Sequence, residues 1–180
     1  MRKLFVSALV FIAITIPAFA QTPTQSPTTE PVMEEKEEYV LPYPGILPDH
    51  PLYFLKALRD TILEALIVDP LRKSEFYLLQ ADKRLNMGIF FGAKGKAKEA
   101  AESVTIAEQF MERVVKWLLT FREGGSVVPA STVDRLERSM KKHEEELEGM
   151  MVNAGEGERP NIESALGKIT SLQGEIGKLK

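Results

Sequence analysis

The chain has 180 residues, 23 Lys and Arg against 26 Asp and Glu, a net charge of −3 and no cysteine. Such a balance offers no basic face for nucleic acid. The missing cysteine excludes disulfides, thiolate metal sites, a cysteine nucleophile and a lipid-modified cysteine.

Residues 1–20 read as a cleavable signal peptide. Arg2 and Lys3 form a positive start, Leu4 to Ile16 an apolar stretch, Pro17 a break, and Ala18-Phe19-Ala20 the small-x-small pattern that places cleavage between Ala20 and Gln21. The rival reading, an uncleaved anchor, sits at the short limit for a spanning helix. No later stretch is apolar enough to span, so no transmembrane helix is expected in the mature chain, and its place is extracytoplasmic: periplasmic, cell-surface or secreted. Losing Arg2 and Lys3 takes the charge from −3 to −5, and five glutamates against Lys36 put −4 of that in the next segment. Residues 21–38 are Thr, Pro, Ser and Glu with almost nothing to bury, a composition that predicts a disordered acidic linker.

The domain is expected over 39–180. Leu41 to Pro51 holds four prolines, which forbid regular helix, yet Leu41, Tyr43, Ile46 and Leu47 predict that it lies against a core. His50 is read as the N-cap and Pro51 as the first helical residue. A helix over about 51–66 follows, with Leu55, Leu58, Ile62 and Leu66 spaced as one buried face. Asp69-Pro70 starts a second helix over about 70–88, with Leu71, Leu78, Ala81 and Leu85 inward, and Gly88 to Gly95 reads as a corner.

Three longer helices, over about 96–122, 132–152 and 161–179, carry seven-residue repeats. The stripes are Ala97-Ala100-Val104-Ala107-Met111-Val114-Leu118-Phe121, then Val133-Leu136-Met140-His143-Leu147-Met150, then Ile162-Ala165-Ile169-Leu172-Ile176-Leu179. Gly124-Gly125 ends the first, and Ser131 with Asp134 resembles a capping box for the second. Short links imply antiparallel neighbours. The expected fold is all-α: about five helices in an antiparallel up-and-down bundle with coiled-coil-like packing, free of strand.

The lead-in, Leu41-Pro42-Tyr43-Pro44-Gly45-Ile46-Leu47-Pro48-Asp49-His50-Pro51-Leu52-Tyr53-Phe54-Leu55-Lys56, together with Asp69-Pro70-Leu71, resembles a family of exported prokaryotic helical domains of unknown function. Members share a Leu-Pro-x-Pro-Gly-x-x-Pro-x-x-Pro-x-Tyr lead-in. The resemblance spans about residues 39–120 and implies an extracytoplasmic helical fold; it carries over no catalytic residue.

Chemical signals are sparse. A di-iron carboxylate bundle needs Glu-x-x-His on two helices, but Met140 precedes His143 by three and Leu47 precedes His50. Met140 and His143 share a face and form the only candidate metal pair, a soft copper-type site, with a core role as the plainer reading. Most acidic residues on helices fall on outward faces, as do Glu99 and Glu102, and no phosphate loop or nucleophile motif occurs. No catalytic residue, metal or cofactor is assigned, and an enzyme is not expected. Phe90 and Phe91 beside Lys94, Lys96 and Lys98 would make an aromatic wedge with a cationic rim, a candidate membrane contact, if exposed; burial is the simpler reading. Tyr39, Tyr43 and Tyr53, or Ile106, Phe110 and Trp117, could dock another chain. The expectation is an exported, non-enzymatic binding or structural component of the cell envelope, whose partner the sequence does not name; a homo-oligomer through the last three helices is one form. The alternative is a peripheral membrane-surface or metal-binding protein.

Overall fold

The computed structural model describes residues 38–179. The leader, the cleavage site at Ala20 and Gln21, and the linker as far as Glu37 lie outside the described residues. Five helices follow in order: α1 (Tyr53–Leu66), α2 (Pro70–Ala93), α3 (Ala97–Glu123), α4 (Ala130–Val152) and α5 (Arg159–Ile176), the last extended by a 3-10 turn, Gly177–Leu179. Among the described residues there is no strand.

Helix boundaries follow local chemistry in some places and depart from it in others. Asp69 caps α2 as expected, its carboxylate accepting from the Arg72 N–H at 2.8 Å with Pro70 in the first turn. α1 begins two residues later than Pro51: the chain turns through residues 48–52, and the His50 imidazole accepts from the Leu52 N–H at 3.1 Å, so the histidine caps the turn. Ser131 lies inside α4, which starts after Pro129 without a side-chain cap.

The expected corner at Gly88 is the largest correction. α2 runs straight through it to Ala93, and the reversal is made at Gly95, whose φ of +71° suits a residue without a side chain. Gly88 serves packing instead: a Cβ there would stand 2.7 Å from Val104 Cγ1 on α3.

α2 to α5 form the bundle. α2 and α3 make one antiparallel hairpin, α4 and α5 a second, and the hairpins lie side by side with α2 along α4 and α3 along α5. Lys168 of α5 reaches Glu112 of α3 at 2.7 Å. The seven-residue stripes point inward: Val104, Met111, Leu118, Leu136, Met140, Leu147 and Ile169 are all inaccessible to solvent. The stripes of α3, α4 and α5 are therefore satisfied within one chain. Loop length predicts α3 beside α4, yet these two are not principal packing partners. The 124–129 link instead crosses the bundle end with Val128 buried beneath it. A short link spans a diagonal as readily as an edge when the helices are this close.

Candidate functional site

α1 stands outside the bundle, and no residue of it is buried. At 3.6 residues per turn, Tyr53, Lys56, Asp60 and Glu64 form one stripe and Leu55, Leu58, Ile62 and Leu66 the opposite one. The polar stripe is the half-buried one. Arg84 of α2 donates to the Tyr53 hydroxyl, Lys56 donates to the Pro44 carbonyl at 3.1 Å, and Tyr77 of α2 donates to Glu64 at 2.6 Å, where Arg113 of α3 also approaches to 3.6 Å. Burial, then the neighbouring Arg84 charge, lowers the Lys56 pKa to about 8.

The apolar stripe faces out, against expectation. Leu55, Leu58, Ile62 and Leu66 are 50%, 55%, 50% and 70% exposed. Leu52, Phe54, Leu63 and Val68 extend the same open surface. Periodicity establishes that a helix has two faces, but which face turns inward depends on its neighbours. Here α2 and α3 offer Arg84, Tyr77 and Arg113, so the polar side binds.

The second feature lies in the centre of the bundle, where three helices meet. His143 of α4 is fully buried. Its Nδ1 donates to Glu108 Oε1 of α3 at 2.8 Å and its Nε2 to Asp82 Oδ1 of α2 at 3.2 Å. Ser139 donates to the same Asp82 oxygen at 2.6 Å, and Tyr39 donates to the other at 2.6 Å. Burial by itself would lower the His143 pKa, but the Glu108 charge and the two carboxylate hydrogen bonds outweigh it and hold the pKa at about 9. The ring is an imidazolium at neutral pH. Burial and the Asp82 charge push the Tyr39 phenol up to about 12. Glu108 Oε2 is buried and meets no hydrogen-bond partner among the described residues. The cluster ties the lead-in to α2 and α2 to α3 and α4.

Asp82, Glu108 and Ser139 escape the sequence reading, though a signal exists. Asp82 continues the Leu78-to-Leu85 face of α2, and Glu108 falls midway between Ala101 and Val115, both buried. Asking which carboxylates interrupt an apolar stripe would have found both.

The structure places Met140 and His143 together in the core, with both imidazole nitrogens engaged by carboxylates. Among the described residues no group of three or more His, Asp or Glu is arranged to hold a metal ion. The aromatic corner is split. Phe91 is buried against Met87 and Ala100, whereas Phe90 is 39% exposed with the Lys94 ammonium 4.3 Å above its ring. Lys96 pairs with Asp49 at 2.6 Å, and Lys98 extends into solvent near Glu102. Ile106, Phe110 and Trp117 are half-buried, Phe110 stacked on Tyr77 and Trp117 under the Lys73 ammonium. Tyr43 is exposed while Leu41 and Leu47 pack inward. No helix among the described residues is long and apolar enough to cross a membrane.

No curated protein and no solved structure matches the chain. A family model described as a domain of unknown function, DUF5667, matches residues 45–157, from the lead-in through α4, and the chain belongs to that family.

Proposed function

We propose that this protein is a non-catalytic docking module of the extracytoplasmic side. In this reading the leader is removed after Ala20, residues 21–38 act as a tether, the α2–α5 bundle is a rigid mount, and α1 is the surface presented. The observation that carries it is the mounting of α1, polar stripe inward and apolar stripe outward. Eight large apolar residues on or beside α1 are between 42% and 84% exposed. At roughly 150–200 Å² for a residue of this size wholly exposed, the six of them on the outward side, without Phe54 and Leu63 on its flanks, leave on the order of 600 Å² open. The largest apolar patch of an ordinary monomer is about 300–600 Å². A helix with this pattern gains by turning over and burying its leucines unless something else covers them.

The non-catalytic part rests on access. His143, Asp82 and Glu108 form the densest group of titratable side chains, and each is at most 1% exposed. Burial of this depth supports a structural role for the cluster. The peripheral-membrane alternative would use the outward face of α1, with Phe54 inserting. It is the weaker reading because α1 carries Lys56 and Arg59 against Asp60 and Glu64, leaving no net positive charge to draw it to an anionic surface.

A photo-crosslinking residue placed at Ile62 in the producing cell tests the reading, with Lys141, exposed on α4, as the control position. A discrete adduct from position 62 alone is expected. No adduct there, or equal adducts from both positions, would sink the docking proposal. The mass of the recovered chain checks export separately, since cleavage predicts a mature N-terminus at Gln21.

A further inference from the structure

We infer that the occupant of the outward α1 face is a second copy of this chain, the two α1 helices pairing antiparallel about a twofold axis that passes close to residue 60. This rests on the docking reading and adds the identity of the partner.

The face is self-complementary. A closed twofold contact requires that each residue meet a compatible residue of the same patch read backwards. About residue 60 the outward sequence pairs apolar with apolar when read backwards: Leu58 meets Ile62, Leu55 meets Ala65, and Leu52 meets Val68. Leu55, Leu58, Ile62 and Ala65 step 3-4-3, the spacing of a two-helix seam. Each side chain of this seam thus lands on an apolar one, and Arg59 flanks it.

Charge permits the pairing. Lys56, Asp60 and Glu64 all lie on the inward stripe, where the chain's own groups hold them. Arg59 alone borders the outward seam, and it is neutralised in place, its guanidinium donating to Asp60 at 2.6 and 3.0 Å. Bringing two copies together therefore buries no unpaired charge. A dissimilar partner would need no such restraint at this border.

Area comes near the requirement as well. Leu52, Leu55, Leu58, Ile62, Leu66 and Val68 leave on the order of 600 Å² open per copy, most of the roughly 800 Å² that each side contributes to a standard stable interface. An apolar ribbon one helix wide also fits a second helix better than a flat protein surface, because ridges of one set into grooves of the other.

The test uses the mature chain purified from its own host, and sedimentation velocity at micromolar concentration is the first measurement. A dimer is expected, and Leu58→Glu with Ile62→Glu is expected to convert it to monomer. Its thermal midpoint should equal that of a monomeric, diluted wild type, since both side chains already face solvent. The cysteine-free sequence then permits single-cysteine mapping. Arg59→Cys, beside the axis, is expected to form an interchain disulfide, whereas Leu55→Cys, about 15 Å from its copy along the helix axis, is not. A wild type that stays monomeric, a dimer that survives both glutamates, or crosslinking at position 55 in preference to 59 overturns the inference. If the wild type is monomeric while Ile62 photo-crosslinks to a different protein or to lipid, self-pairing falls and docking stands. If it is monomeric and position 62 yields no adduct, both fall.

Discussion

The outer helix and the bundle are held by opposite means. α2 to α5 bury apolar stripes and enclose one charged cluster at their centre, whereas α1 turns its polar stripe inward and leaves its leucines in solvent. The same repeating spacing thus serves cohesion in one region and display in the other. The lesson is that an amphipathic helix is oriented by what its neighbours offer. α3, α4 and α5 offer each other hydrocarbon; α2 and α3 offer α1 a guanidinium, a phenol and a second arginine.

Substitution should separate the two regions, the largest effect coming from the centre. His143→Gln removes the cation between Asp82 and Glu108 and leaves two buried carboxylates facing each other. Breaking a buried pair in this way costs about 3–5 kcal/mol, measured by urea denaturation at pH 6. The cost is pH-dependent with a definite sign. The folded pKa of His143, about 9, is raised above its ordinary 6.5. Its contribution is therefore complete below pH 6.5 and lost as pH rises toward 9. Lys56, lowered to about 8, works in the opposite direction over part of that range. The quantity to read is the gap between wild type and His143→Gln, which should narrow from pH 6.5 to 9. A constant gap would show that the imidazole is neutral in the fold.

Leu118→Ala and Leu58→Ala sharpen the comparison, because one chemistry is removed from each region. Leu118 is fully buried and its truncation should cost about 2–5 kcal/mol. Leu58 is 55% exposed, and its truncation in the monomer should fall within about 0.5 kcal/mol of wild type. Comparable losses at both sites would mean that α1 packs apolar side inward in solution. The smallest core effect is expected for Gly88→Ala. The new methyl meets Val104 Cγ1 at 2.7 Å, so the α2–α3 contact must open or Val104 change rotamer, at a cost of about 1–3 kcal/mol. A rise in stability, as helix propensity alone would give, would argue that this contact is loose.

Much of the bundle was legible in the sequence. The stripes of α3, α4 and α5 became the core except at their ends, where Ala97 is exposed and Phe121 and Met150 are half-buried, and Asp69-Pro70 marked the start of α2. Helix periodicity is local, and sequence records local patterns faithfully. What depended on distant partners was not legible. The Leu55-to-Leu66 stripe was read as buried because apolar periodicity ordinarily is, and nothing near it announces Arg84, Tyr77 and Arg113. Gly88 was read as a corner because glycine marks both bends and close approaches, and only Val104 across the interface distinguishes them. Of the buried cluster, His143 was recognised on its stripe, but its carboxylates sit 35 and 61 positions away in the chain. Their pairing is a property of the fold.

The outward mounting of α1 also bears on how the family can diverge. Leu55, Leu58, Ile62 and Leu66 lie outside the buried core, so the bundle constrains them less than it does its own stripes. Core positions such as Leu118 or Leu136 answer to folding, and on the docking proposal the α1 face would answer to its occupant. If that proposal holds, variation at these leucines would track the identity of the partner, and variation at the bundle stripes would not.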